Sequence, residues 1–162
     1  MAATRAARGW WLWLVLAAGV IALDQATKLA VRSLLQPGDE MVVTSFFSVV
    51  LTFNTGAAFS FLRDATGWQR YLFSGVAIAA AAFIVWLLRR GGDLWYCTGL
   101  ALILGGALGN LLDRVALGQV VDFLLFHWQR WYYPAFNVAD SAITVGAALL
   151  LLEAVLQRRA RD

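Results

Sequence analysis

Residues 105–141 read GGALGNLLDRVALGQVVDFLLFHWQRWYYPAFNVADS. Three aspartates fall in this stretch, Asp113, Asp122 and Asp140, and each flanks or ends a long apolar run. A carboxylate at the centre of a bilayer costs about 2.5 kcal/mol or more even on lenient insertion scales. A chain this apolar keeps such groups at its membrane edges only where the local structure tolerates or uses them. The stretch therefore holds the end of one span, a connection, and the start of the next span. The remainder is expected to act as scaffolding that holds Asp122 and Asp140 together just outside the hydrocarbon.

Working outward, composition sets the class. Of the 162 residues, 61% are hydrophobic, against about 45–50% in soluble domains. The length suits one compact membrane-embedded unit over 1–162 with no separate soluble domain. The one cysteine, Cys97, rules out an intrachain disulfide, and with one histidine, His127, no His/Cys zinc cluster can form. No metal and no cofactor is expected, and nothing points to a nucleic-acid partner.

Four apolar runs, about 10–31, 68–88, 94–112 and 138–156, are expected to span as helices. Trp10, Trp11 and Trp13 open the first run after the basic residues Arg5 and Arg8, as interface-belt residues do. This opening shares the outline of a secretory signal. The run stays apolar past Ala17 and Ala18, however, so a retained first span is expected. Arg5 and Arg8, Arg89 and Arg90, and Arg158, Arg159 and Arg161 all fall on one side of four spans. The positive-inside bias makes that side cytoplasmic, with both termini there. Segments 32–67 and 113–135 then lie outside, and Asp24, Asn54, Asp113, Asp122 and Asp140 converge on one membrane surface.

Several local patterns carry two readings each. Asp24 and Lys28 are four apart and share a helix face; they form a helix-end ion pair, or one of them faces a site. Met41 to Phe53 is rich in Val, Thr and Phe, which argues strands. Asn54 to Ser60 is either an ordinary loop or a backbone segment that lets something approach closely. Gly105 and Gly109 form a G-x-x-x-G step suited to close helix packing. Asn110, Asp113 and Arg114 share one face of the third helix end. They are a snorkelling arginine with a paired acid, or an anion partner that sets a neighbouring carboxyl. Asn137 and Asp140 fit a helix cap, yet Ser141 and Thr144 carry the polar stripe deeper than a cap needs.

The available chemistry is narrow. A serine–histidine pair would need His127, which has no G-x-S-x-G turn beside it. A serine–lysine pair would need Lys28, which Asp24 explains more simply. Two carboxylates sharing a site remain: their pKa values split, so one acts as base on a water while the other donates a proton. Two rivals stand beside this reading. A proton-coupled carrier would place acids at the membrane midplane and beyond, and a scaffold would need only the G-x-x-x-G face.

At this point the residues resemble the lipoprotein signal peptidases, the type II signal peptidases of bacteria. The matching segments are Asp24-Gln25-x-Thr27-Lys28, Asn54 to Ser60, Gly105-Gly106-Ala107-x-Gly109-Asn110-x-x-Asp113-Arg114, Gly118-x-Val120-Val121-Asp122-Phe123 and Phe136-Asn137-x-Ala139-Asp140. They run from the first span to the last in the family's order. The resemblance implies an aspartic endopeptidase of the bacterial inner membrane, cutting just before the cysteine of a diacylglyceryl-modified prolipoprotein. It implies Asp122 and Asp140 as the catalytic pair, and a monomer acting among membrane lipid. Asn54, Asn110, Arg114 and Asn137 would position substrate and pair. Asp24 and Lys28 would support the site from the first helix, Gly56 and Ala139 would line it, and Asp113, beside Arg114, would be structural and charge-setting. The fold class implied is an all-α membrane protein of four transmembrane helices. To it are added a small extracytoplasmic β-sheet over Met41 to Phe53 and a short amphipathic helix within Phe123 to Tyr133, a mobile cover over the site.

Overall fold

The structure, a computed structural model, describes residues 9–55 and 67–159. Four helices dominate it: α1 (Trp10–Leu34), α2 (Trp68–Arg90), α3 (Leu94–Leu117) and α4 (Val138–Arg159). All four are long and apolar enough to cross a membrane. The shortest has 22 residues, about 33 Å at 1.5 Å per residue against about 30 Å of hydrocarbon.

The helix α3 is central and packs on α1, α2 and α4. Glycines make this possible. A Cβ on Gly105 would lie 2.8 Å from the Ala17 carbonyl of α1, and one on Gly99 would lie 2.8 Å from the Gly146 carbonyl of α4. The G-x-x-x-G step thus serves helix packing as expected. α3 also continues past the end of its apolar run, through Asp113 and Arg114. It stops where Gly118 takes a left-handed φ of 78° and its N–H bonds the Arg114 carbonyl at 3.1 Å. The polar residues of its last turns stay helical because buried partners satisfy their side chains, not because they reach water.

A four-stranded antiparallel sheet, ordered β1-β2-β3-β4, closes one end of the bundle: β1 (Glu40–Thr44), β2 (Phe47–Asn54), β3 (Val120–Trp128) and β4 (Trp131–Tyr132). The strands expected over Met41 to Phe53 form. The amphipathic helix expected within Phe123 to Tyr133 does not: that stretch is β3, a two-residue turn and β4. The four helices with a small sheet are thus as expected, and the sheet takes in the stretch where the short helix was expected. The reason is local. Val120 to Phe123 is buried without a break, which suits a strand covered on both faces. β2 offers β3 a ladder from Phe47↔Phe126 to Asn54↔Val120. Val31 from α1 joins Leu51, Val121 and Phe123 in a core that seats the sheet on the helices.

The other end of the bundle is marked by charge. The Arg89 guanidinium lies 5.6 Å from the Trp10 ring, and Gln157 donates to Asp93 at 3.3 Å. These contacts gather the start of α1, the α2–α3 turn and the end of α4 away from the sheet.

Candidate active site

The site forms where β3 and α4 meet, and the backbone puts it there. Phe136 pairs with Leu124 as an isolated antiparallel bridge, with N–H to carbonyl bonds of 3.0 and 2.8 Å in both directions. The chain thus returns along β3 before entering α4, so Asn137 arrives beside Asp122. Its amide Nδ2 donates to Asp122 Oδ1 at 2.7 Å and to the Val121 carbonyl at 3.2 Å. Its Oδ1 accepts the Asp140 backbone N–H at 2.9 Å. Asn137 is therefore a true helix N-cap, and the same side chain ties β3 to the start of α4.

Asp140 does not complete the capping box. Its Oδ1 accepts from Asn110 Nδ2 at 2.7 Å. Asn110 Oδ1 accepts in turn from Asn137 Nδ2 at 3.2 Å and from Lys28 Nζ at 3.1 Å. Asp122 is also held by Asn54 Nδ2, at 3.1 Å from its Oδ2. The two carboxylates are thus joined by a bridge of two asparagine amides. Asp122 is 2% exposed, whereas Asp140 is half-buried. Burial, with the Asp140 charge second, pushes the Asp122 carboxyl from its ordinary 3.8 up to about 7.

A second group of acids lies beneath. Lys28 Nζ is 2.8 Å from both Asp24 Oδ2 and Asp113 Oδ2. The Asp24–Lys28 pair expected from spacing is present, but Lys28 is shared with α3. Asp24 Oδ1 accepts the Ala139 N–H of α4 at 2.9 Å, and Asp113 Oδ2 accepts the Val121 N–H at 3.0 Å. One ion triad therefore bonds α1, α3, α4 and β3 together. Gly109 permits it, since a Cβ there would lie 2.8 Å from Asp24 Oδ2.

The structure brings together Asp24, Lys28, Asn54, Asn110, Asp113, Asp122, Asn137, Ala139 and Asp140. Arg114 stands beside them without pairing Asp113, the partner that adjacency suggested. It donates to the Asn110 carbonyl at 3.4 Å and lies over the Phe73 ring of α2 at 5.4 Å. Gly56, with the rest of Ala57 to Ser60, lies outside the described residues. Sequence reasoning gave Gln25 no role, yet its Nε2 lies 2.9 Å from Asp113 Oδ1 and 3.2 Å from both Asp24 Oδ2 and the Gly109 carbonyl. Its adjacency to Asp24 was the available signal. A serine–histidine contact also exists, Ser48 Oγ to His127 Nε2 at 3.1 Å. Ser48 is 0% exposed, and the contact ties β2 to β3.

The arrangement can move a proton. Two carboxylates, held by neutral amides and served by no ion pair among the described residues, can differ in protonation and exchange roles around a water. The chain matches known proteins along nearly its whole length. Residues 16–156 match a family model described as "Signal peptidase (SPase) II". The "Lipoprotein signal peptidase" of Pseudomonas fluorescens is 56% identical over 156 residues, covering 94% of this chain and 91% of that one. That of Pseudomonas putida is 53% identical over 165 residues, covering 99% and 95%. A solved structure titled "Bacterial membrane enzyme structure by the in meso method at 2.3 A resolution" has a TM-score of 0.80 at 28% identity, covering 93% of this chain and 91% of that one.

Proposed function

The chain belongs to the signal peptidase II family, an aspartic membrane endopeptidase family, and on that premise we propose that it removes the signal peptide from diacylglyceryl-modified prolipoproteins, cutting just before the lipidated cysteine. The observation that carries the mechanism is the amide bridge between Asp122 and Asp140. Asp140 takes a proton from a water, and the water oxygen attacks the scissile carbonyl. Asp122, neutral below about pH 7, gives its proton to the carbonyl oxygen. As the tetrahedral intermediate collapses, the carbon–nitrogen bond breaks, the proton on Asp140 passes to the leaving amine and a hydroxyl proton returns to Asp122. The products are the signal peptide's new carboxylate and the free amino group of the lipidated cysteine, with no covalent enzyme intermediate.

The neighbours take positioning roles. Asn54 and Asn137 aim Asp122, and Asn110 aims Asp140. The triad of Asp24, Lys28 and Asp113, with Gln25, fixes the helix ends, and Ala139 packs 0% exposed beside it. Gly56 is proposed to support substrate binding and Arg114 to position substrate. β1 to β3 cradle the extended peptide. The hairpin from Phe123 to Tyr133, with Trp128 and Trp131 exposed at its tip, shields the reacting bond from bulk water.

In the proposed orientation the chain lies in the bacterial inner membrane with both termini cytoplasmic and the site at the extracytoplasmic face. Support comes from Arg89, Arg90 and Arg158, which stand at the bundle end away from the sheet. Every proposed catalytic group comes from one chain, so a monomer suffices, working in membrane lipid. Incubation of purified protein with a diacylated precursor, followed by mass determination, tests the activity. The expected products are the free signal peptide and a mature chain beginning at the modified cysteine. A cut elsewhere, or none with the precursor intact, contradicts the proposal.

A further inference from the structure

Lys28 is 2% exposed, and an ammonium carries three hydrogens. Three acceptors meet them: Asp24 Oδ2 and Asp113 Oδ2 at 2.8 Å each, and Asn110 Oδ1 at 3.1 Å. A tie between α1 and α3 needs only the first two. The third contact reaches into the bridge that joins the two proposed catalytic carboxylates, and it decides which way the Asn110 amide faces. An ammonium donates and never accepts, so the atom turned to Lys28 must be Oδ1. Nδ2 then faces Asp140, whose Oδ1 it meets at 2.7 Å. The reversed amide would set Nδ2 against the ammonium and Oδ1 against the carboxylate, two repulsive contacts at a buried position. The other amide of the bridge needs no such help. Backbone pins Asn137, because its Oδ1 accepts the Asp140 N–H at 2.9 Å and its Nδ2 donates to the Val121 carbonyl at 3.2 Å. Among the described residues, the Asn110 side chain bonds no backbone group; its remaining partner is Asn137 Nδ2 at 3.2 Å. That Nδ2 has two hydrogens for three acceptors and lies closest to Asp122 Oδ1, at 2.7 Å. Lys28 is thus the donor that gives Asn110 a hydrogen of its own.

We propose that Lys28 is a positioning residue for the peptidase reaction: through Asn110 it keeps Asp140 an acceptor, the form that takes a proton from the attacking water. The inference rests on the assignment of Asp140 as the base. A donor held against a carboxyl favours its charged form. An Asn110 amide free to turn over would offer Asp140 an oxygen instead and favour the protonated form, which is no base. The charged groups around this amide are Lys28 and Asp24 of α1, Asp113 and Arg114 of α3, Asp122 of β3 and Asp140 of α4. From α2 the Phe73 ring lies against Arg114. Arg114 attracts Asp140 through space, but its hydrogen bond goes to the Asn110 backbone carbonyl at 3.4 Å, which leaves the direction of the amide open. Lys28 sets that direction.

Lys28 is the only lysine in the chain, so lysine isotope-labelled at Nζ gives a single ammonium resonance that needs no assignment. The test follows that resonance against pH in the purified full chain in detergent, beside the pH profiles of kcat and KM for a diacylated precursor. The ammonium signal is expected to show an inflection that coincides with the acid limb of kcat and is lost in both Asn110→Ala and Asp140→Asn. Folded Lys28→Met protein should have that acid limb moved up by about one pH unit, close to a tenfold lower rate along it, with KM unchanged. Loss of a purely structural tie would lower the melting temperature and leave the limb in place. A signal without an inflection across the acid limb overturns the proposal. So does an inflection that persists in Asn110→Ala, since the charge would then act without the amide. An acid limb unmoved in folded Lys28→Met overturns it too; if that variant fails to fold, the ammonium signal decides. The resonance is read without substrate. Precursor left uncut by the unaltered protein therefore counts against the peptidase reading, while the two variants still decide the coupling of Lys28 to Asp140 through Asn110.

Discussion

Two carboxylate pairs lie side by side in this molecule and are built on opposite plans. Asp24 and Asp113 clasp one ammonium, Lys28, at 2.8 Å each, and each also accepts a backbone N–H. Asp122 and Asp140 make no ion pair among the described residues; asparagine side chains hold them. A cation clasped between two acids ties their helices together and makes a strut. Neutral amides position acids without fixing their charge, so one can be protonated while the other is not. The difference separates an ion-paired strut from the proposed catalytic pair among acids that look alike in the sequence.

The largest expected effect breaks the amide-held pair. Asp122→Asn should lower the processing rate by on the order of 10³-fold, with the fold intact by circular dichroism and little change in substrate binding. The strut should respond the other way. Lys28→Met leaves Asp24 and Asp113 buried without their cation, which should cost about 3 kcal/mol or more of stability, read from thermal unfolding in detergent. Gly109→Ala sharpens the same contrast at smaller scale. It pushes a methyl against Asp24 Oδ2 and should cost about 1–3 kcal/mol of overpacking, again in melting temperature.

The smallest effects concern pH. Asp122, pushed up to about 7, supplies its proton only below that pH, so the rate should fall as pH rises through about 7. Stability follows the same sign. Between the ordinary 3.8 and about 7 the folded chain holds a proton that the unfolded chain releases, so this carboxyl's contribution fades as pH rises. Asn54 favours the charged form of Asp122; Asn54→Ala should therefore move the alkaline limb of the rate profile upward. A limb that stays put, with chemistry rate-limiting, would deny Asn54 that role.

Much of this was legible in the chain. Length and hydropathy reveal four spans, and Asn137 with Asp140 reveals the cap, because both depend on local pattern. The strand at Val120 to Phe126 was harder. Its mixed aromatic run fits an amphipathic helix until β2 supplies a ladder, and that partner lies some seventy residues away. The partner of Asp113 was illegible for a similar reason. Adjacency favours Arg114, but helix direction sends Asp113 to Lys28 and leaves Arg114 over Phe73. Gln25 was overlooked because an uncharged amide beside an acid carries no charge pattern, although three of its contacts lie within the strut.

The central claim is that Asp122 and Asp140 divide the acid and base roles around one water. Purified Asp140→Asn protein, set beside the unaltered enzyme with a diacylated precursor and read by product mass, tests it most directly. Only intact precursor is expected from the variant, with its melting temperature close to that of the parent. Release of the signal peptide at the parent's rate would contradict the account.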